Sequence, residues 1–206
     1  VSLMHLHINR GKRSLVLDLR TPEAQEVFKE LAAGADAVIE GMRPGALAKR
    51  GLGYEDLKAI NPKIVFCNIS GYGMTGPYKD MPSHGVAYDT WAGLVKAETD
   101  DDGFCYIPEH PSTGIHAGPL FGALGILAGI VRARATGQPT QFEIAQSDAS
   151  AAMDWLRSET WKAYERPESE VTGNRSDNYE RRAPGTAGMR DGVRYQFYET
   201  ADDRHV

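Results

Sequence analysis

The stretch DAVIEGMRPGALAKRGLGYEDLKAINPKIVFCNIS, residues 36–70, decides the fold. It opens on a short apolar run, DAVIE (36–40), that reads as a strand, and closes on a second, KIVFCNIS (63–70), rich in β-branched and aromatic residues. Between them GYEDLKAIN (53–61) reads as a short helix stopped by Pro62, because a proline disfavours helical dihedrals in the residue before it. Two short strands bridged by a helix imply parallel pairing, with helices covering the sheet.

The same alternation continues outward. Upstream, RSLVLDL (13–19) reads as a strand and TPEAQEVFKELAAG (21–34) as a helix, with Thr21 as N-cap, Pro22 in the first turn and Gly34 as the stop. Downstream, GYGMTGPYKDMPSHG (71–85) is a Gly-, Pro- and Ser-rich loop leaving a strand's carboxyl end, the place where open α/β sheets bind ligands. A helix is expected from about His84 to Lys96, then an acidic loop at 98–103. STGIHAGPLFGALGILAGIVRARATG (112–137) holds a long apolar helix, whose small residues Gly118, Gly122, Ala123, Gly125, Ala128 and Gly129 permit close approach of another backbone. Residues 141–145 alternate like a half-buried strand, and a helix follows from Ser147 to about Tyr164. From Glu165 to Arg190 the chain turns polar and reads as a linker, and VRYQFYETADDRHV (193–206) reads as a strand and turn. The expectation is an α/β fold with a doubly wound, mainly parallel sheet over residues 1–165. Residues 166–206 are then linker and the start of a second, smaller domain.

With 206 residues, 41% hydrophobic and 25% charged, the chain is long enough for one large core. Its net charge of −5 speaks against a general nucleic-acid binder. Cys67 and Cys105 are too few for a disulfide framework and suit reduced thiols of a cytoplasmic protein. No uninterrupted apolar run approaches the roughly 20 residues of a membrane span.

Three groups of residues carry candidate chemistry. Arg10, Lys12 and Arg13, with Arg43, Lys49 and Arg50, lie near strand and helix ends, where cations can hold the phosphates of a nucleotide-type ligand or simply remain solvated. None of the usual glycine phosphate loops is present. His84 opens a helix after the glycine-rich loop, as a proton-transfer group or as a polar loop residue. Asp148 stands where strand gives way to helix. There it is either a cap contributing about 1 kcal/mol or a carboxylate aimed at a ligand, at a helix end whose dipole favours negative charge.

NRGKRSLVLDLRTPE (9–23), the run from Ala35 to Tyr78, and TGQPTQFEIAQSDASAAM (136–153) together resemble the family III CoA transferases. That group contains formyl-CoA, carnitine and bile-acid CoA transferases and α-methylacyl-CoA racemase. The resemblance implies a Rossmann-like large domain in an interlocked homodimer. It also implies a fragment, lacking the first strand and helix of that domain and most of the second, including a glycine-rich loop that shields the intermediates. Asp148 falls on the family's catalytic aspartate, at the end of a V-D-V-S-x-x-D strand that here reads FEIAQSD (142–148). Lys12, Met42, Pro44 and Lys49 fall on CoA-contacting positions, the lysines at phosphates, the other two beside adenine or pantetheine. Arg10 and Arg43 join them as neighbouring cations.

The implied activity is CoA transfer from an acyl-CoA thioester to a carboxylic acid, through an aspartyl anhydride and an aspartyl-CoA thioester. CoA is then a substrate, and no prosthetic group or metal is implied. Two departures stand out. The frequent E-N-F-R-P-G is E-G-M-R-P-G (40–45), and SHGVAY (83–88) keeps the histidine of the racemases without their neighbouring Asp and Asn. The alternatives are therefore a racemase working through a His84/Asp148 proton-transfer pair, and a CoA-binding homologue without catalysis.

Overall fold

In the computed structural model of the chain, residues 2–95, 97–110, 112–153 and 201 are described. A short helix α1 (Leu3–Ile8) comes first, its N-terminus capped by Ser2, whose hydroxyl accepts from the His5 amide. Helix α2 (Pro22–Ala33) follows as the sequence predicts. Thr21 accepts from the Ala24 amide, and Gly34 ends the helix. Then come β1 (Ala37–Glu40), a 3-10 turn (Ala48–Arg50), α3 (Tyr54–Ile60), β2 (Val65–Ser70) and α4 (Val86–Trp91). A small hairpin of β3 (Glu98–Thr99) and β4 (Cys105–Tyr106) leads to α5 (Thr113–Thr136), β5 (Thr140–Ala145) and α6 (Gln146–Met153).

Strands β1, β2 and β5 form a parallel sheet in that order, with Ala37 opposite Val65 and Val65 opposite Thr140. Parallel pairing brings their last residues, Glu40, Ser70 and Ala145, to one rim. The middle strand is buried on both faces, which explains its nearly continuous apolar sequence. Phe66 faces one side, in a cluster with Ala32, Leu47, Leu52 and Leu57 from α2, α3 and the turn before α3. Each such fully buried large side chain contributes about 1.5–3 kcal/mol. Val65, Cys67 and Ile69 point the other way, onto α5. Helices on both faces make the sheet doubly wound, as expected.

Helix α5 rests on the sheet through glycines three and four residues apart, which share one helix face. A Cβ added at Gly125 would lie 2.4 Å from the Phe142 ring, and one at Gly129 would lie 2.8 Å from a Val65 methyl. Ala123 and Ala128 are exposed and take no part, so the close-approach face is narrower than the sequence suggests. The outer face shows Leu120, Leu124, Leu127 and Val131 to solvent. By length and composition this helix could cross a membrane, although no single apolar run in the sequence reaches that length.

The structure corrects three expectations. Residues 13–19 form no strand, and Leu15 and Val16 are exposed. An apolar run becomes a strand only beside a ladder partner, and the edge of the sheet next to β1 receives none from the described residues. Helix α4 is shorter than 84–96 because Gly85 (φ +44°) and Gly93 (φ +76°) bracket it in left-handed conformations; Lys96 lies outside the described residues. The loop at 98–103 belongs to the β3–β4 hairpin. The expected continuation of the last helix to about Tyr164, the linker and the second domain lie outside the described residues, residue 201 excepted.

Candidate active site at the carboxyl rim of the sheet

Three segments leave the carboxyl rim: 41–50 after β1, 71–85 after β2, and α6 after β5. The first is anchored by Glu40, only 4% exposed. Its Oε1 accepts from the Leu47 amide at 2.9 Å, and its Oε2 accepts from Asn68 Nδ2 at 2.7 Å. The second folds back over β5. Glu143 accepts from the Met74 amide at 2.8 Å and from the Thr75 hydroxyl at 3.4 Å, around Gly73 at φ +88°. Segments two and three also meet directly, since the Ser147 amide donates to the Gly71 carbonyl at 3.1 Å.

Asp148 lies in the first turn of α6 and is exposed. Among the described residues its carboxylate accepts only from its neighbour, the Ser147 hydroxyl, at 3.3 Å. No backbone amide of the described residues donates to it, so among them it does not act as the helix cap that its position in the sequence allows. The helix that carries it is nonetheless rigidly held. Ser147, Ala149 and Ser150 are buried, and the Ser150 hydroxyl donates to Asp89 Oδ1 at 2.7 Å. The same oxygen accepts from the Gly114 amide at 2.7 Å, so one buried carboxylate, 1% exposed, ties α4, α5 and α6 together. Asp89 Oδ2, Ser70 Oγ and Gln146 Oε1, all on this side of the molecule, are buried without a hydrogen-bond partner among the described residues.

His84 is exposed at the end of the glycine-rich loop, just before α4. Its neighbour Ser83 sits so close to Gly71 that no side chain would fit there. Helix α4 packs on α6. His84 and Asp148 therefore share the rim, with no hydrogen bond between them. Beside them runs an edge-to-face row of rings: Tyr88 with Tyr72 at 6.4 Å, Tyr72 with Trp91 at 5.4 Å, and Trp91 with Tyr78 at 4.7 Å. Burial, and then the nearby Tyr88, push the Tyr72 phenol above its ordinary pKa.

The other sequence-predicted residues fall into two groups. Met42, Arg43, Pro44 and Lys49 share the segment after β1, with Met42, Arg43 and Lys49 exposed. Arg10 and Lys12 lie at the end of α1. Lys12 Nζ donates to the Ile8 carbonyl at 2.7 Å, and the Arg10 guanidinium approaches His7 Nδ1 at 3.5 Å. Among the described residues no hydrogen bond or ion pair joins this group to the first. Nor does any cluster of three His, Cys, Asp or Glu side chains suited to a metal ion occur there. Two cavities, of about 210 and 410 Å³, open at the other end of the strands, near Asp36, Asn61 and Gly137, and contain none of these residues.

Sequence reasoning missed Glu40, Asp89 and Glu143 as organisers of the rim. The available signal was a carboxylate closing a strand (Glu40) or interrupting an apolar helix face (Asp89), where a charge needs partners.

A parallel, doubly wound sheet with an exposed carboxylate at its carboxyl rim defines an α/β protein of Rossmann-like architecture. The chain belongs to CoA-transferase family III, whose family model matches residues 1–206. It is 34% identical over 149 residues to a succinate–glutarate CoA-transferase of Agrobacterium fabrum, covering 70% of this chain and 36% of that protein. To a succinyl-CoA–D-citramalate CoA-transferase of Chloroflexus aurantiacus it is 40% identical over 141 residues, covering 66% and 33%. The crystal structure of a CAIB/BAIF family protein from Brucella suis superposes with a TM-score of 0.68 at 31% identity, over 77% of this chain and 42% of that one. The chain thus spans about a third of the length of these curated relatives.

Proposed function

We propose that the protein carrying this chain transfers CoA from an acyl-CoA thioester to a carboxylic acid, with Asp148 as nucleophile. The observation that carries this reading is an exposed carboxylate, free of backbone donors, on a helix locked to the rim of the sheet. One Asp148 oxygen attacks the thioester carbonyl carbon, the C–S bond breaks, and CoA leaves as a thiolate. The thiolate attacks the aspartyl carbonyl of the resulting anhydride, which frees the donor acid and leaves an aspartyl-CoA thioester. The acceptor carboxylate attacks that thioester and displaces the thiolate again. The thiolate then attacks the acceptor's acyl carbon, giving the new CoA ester and restoring Asp148. No proton is gained or lost, so the cycle needs no general base, and the covalent route divides one difficult exchange into four acyl displacements. Met42, Arg43, Pro44 and Lys49 hold the nucleotide end of CoA, with Arg10 and Lys12 as further cations, in a cytoplasmic homodimer.

A racemase reading rests on His84 sharing the rim with Asp148. One experiment separates the two. The full-length protein is incubated with acyl-CoA in deuterated water, then trapped with hydroxylamine. Transfer chemistry gives a hydroxamate at Asp148, lost in Asp148→Ala and kept in His84→Ala. Deuterium entering the α-carbon, with no trapped adduct and loss in both variants, overturns the transferase reading. Acid–base groups of that kind contribute about 10²–10⁴-fold each.

A further inference from the structure

Glu40 takes no part in the chemistry above, yet it is a carboxylate with 4% of its surface exposed at the carboxyl end of β1. Burying a charge is costly unless it is well hydrogen-bonded. Here both oxygens are engaged by neutral donors, Oε1 by the Leu47 amide and Oε2 by Asn68 on the neighbouring strand. Leu47 is where the segment after β1 re-enters the core, 2% exposed. The chain between Glu40 and Leu47 holds Met42, Arg43 and Pro44, turns on Gly45 at φ +75°, and is closed by a bond from the Ala46 amide to the Arg43 carbonyl at 3.0 Å. Lys49 follows two residues later, its amide on the Gly45 carbonyl at 3.0 Å. A single side chain thus fixes both ends of the segment. It ties the far end, at Leu47, to the strand that launches the loop, and it ties that strand to β2 through Asn68.

We propose that Glu40 is a positioning residue that acts through Leu47 and Asn68 to hold the Met42–Lys49 segment in the shape that receives the nucleotide end of CoA. This rests on the reading that the segment binds CoA. The role is directional rather than electrostatic, because a negative charge so close to a phosphate site opposes binding, whereas two fixed acceptors shape the loop. Glutamine meets the same need. Its carbonyl can accept from Leu47, and its amide can donate to Asn68 once the Asn68 amide turns over.

The test uses the full-length protein, CoA as probe, and Glu40→Ala, Glu40→Gln, Glu40→Asp and Lys49→Ala. CoA binding is measured by calorimetry at low and high salt, and steady-state kinetics are measured on an acyl-CoA. Glu40→Ala should raise the Kd for CoA and the KM for acyl-CoA about tenfold, as expected for loss of buried charged hydrogen bonds, with kcat within about twofold. Its binding should also become less salt-dependent, since a loosened loop no longer aims Arg43 and Lys49. Glu40→Gln should recover most of the affinity. A folded Glu40→Ala that binds CoA like the parent, beside a Lys49→Ala that binds more weakly, overturns this proposal and leaves the CoA reading standing. Parent-like binding in both variants removes CoA from the segment altogether. Should Glu40→Ala not fold, Glu40→Asp decides. Its charge stays in place one methylene short of Leu47, so an unchanged Kd overturns the proposal.

Discussion

Gly118 and Gly129 lie on the same face of α5, eleven residues apart, and a methyl group at each should have opposite consequences. A Cβ at Gly118 would lie 2.8 Å from Gln146 Cγ, 3.5 Å from its Cδ and 3.7 Å from its Cβ. Carbon contacts settle near 3.5–4.0 Å, so Gln146 must retreat by about 0.7–1.2 Å. The crowded atom is in mid-chain, so the retreat moves the start of α6, two residues before Asp148. At Gly129 the Cβ would meet both Val65 methyls, at 2.8 and 3.0 Å, in a residue with no exposed surface. Val65 begins β2, at the opposite end of the strand from the rim. Each substitution gains about 1 kcal/mol of helix propensity and loses about 1–3 kcal/mol to overpacking, a net loss of about 0–2 kcal/mol. The kinetic effects should diverge. Misplacing a reacting group by about 1 Å can cost about 10²-fold, so Gly118→Ala should lower kcat for CoA transfer by about 10–100-fold. Gly129→Ala should leave kcat within about twofold and lower the thermal midpoint more than Gly118→Ala does. The assay is transfer to an acceptor acid followed by mass, with melting measured on the same samples. Equal losses of kcat in both variants, or parent-like turnover in Gly118→Ala, would refute the claim that α5 sets the position of Asp148.

Two further outcomes follow from a buried and a half-buried group away from the rim. Cys67 has no exposed surface, and burial pushes its thiol from 9.0 up to about 11, whereas Cys105 is exposed. A thiol reagent should label Cys105 in the native protein and reach Cys67 only on unfolding. Because the folded pKa is raised, this group's contribution to stability is intact below about pH 9 and is lost as the pH rises from about 9 through about 11. Native labelling of Cys67 at the rate of Cys105 would contradict the burial. Asn61 caps the end of α2, its Nδ2 donating to the Ala32 carbonyl at 3.1 Å and the Ala35 carbonyl at 2.8 Å, while its Oδ1 accepts from the Lys63 amide at 3.1 Å. Asn61→Ala should cost about 1–3 kcal/mol in a urea titration, and Asn61→Asp more, because it faces a carboxylate toward two carbonyls. An aspartate variant as stable as the parent would show that these bonds are not made.

Local pattern carried the elements whose signals are local. The Thr21 cap, the Pro62 stop and the apolar runs of β1 and β2 each act within a few residues, and each matches the structure. The run at 13–19 misled because strand formation depends on a neighbour that no local pattern can reveal. Helix α4 was over-extended because a glycine in a sequence does not announce a left-handed conformation, and here two of them cut the helix short. Asp148 is singled out by its motif, while local pattern alone leaves it either a cap or a carboxylate aimed at a ligand. The organisers of the rim show in the sequence only as carboxylates in need of partners, and those partners are distant. Glu40 meets Asn68 across 28 residues, and Asp89 meets Gly114 across 25 and Ser150 across 61. No local pattern names partners at that separation.

The rim carboxylates divide by what their lone pairs face. Glu40, Asp89 and Glu143 each accept from at least one backbone amide at 2.7–2.9 Å. Such bonds stabilise a carboxylate's charge by drawing on the electron pairs a nucleophile must offer, so these three suit architecture and not attack. Glu40 ties the segment after β1 to the sheet and Glu143 the segment after β2, while Asp89 ties the helix after β5 to α4 and α5. Asp148 stands on the last of these supported elements and is left with one neighbouring hydroxyl at 3.3 Å. Its backbone is fixed by groups that do not weaken its oxygens. On the proposed transfer route that combination of a rigid carrier and an uncommitted carboxylate suits Asp148, which attacks in the first displacement, is attacked at its carbonyl carbon in the second and third, and is released in the fourth. The reactivity proposed for Asp148 therefore depends on Asp89 and Ser150 as much as on its own exposure.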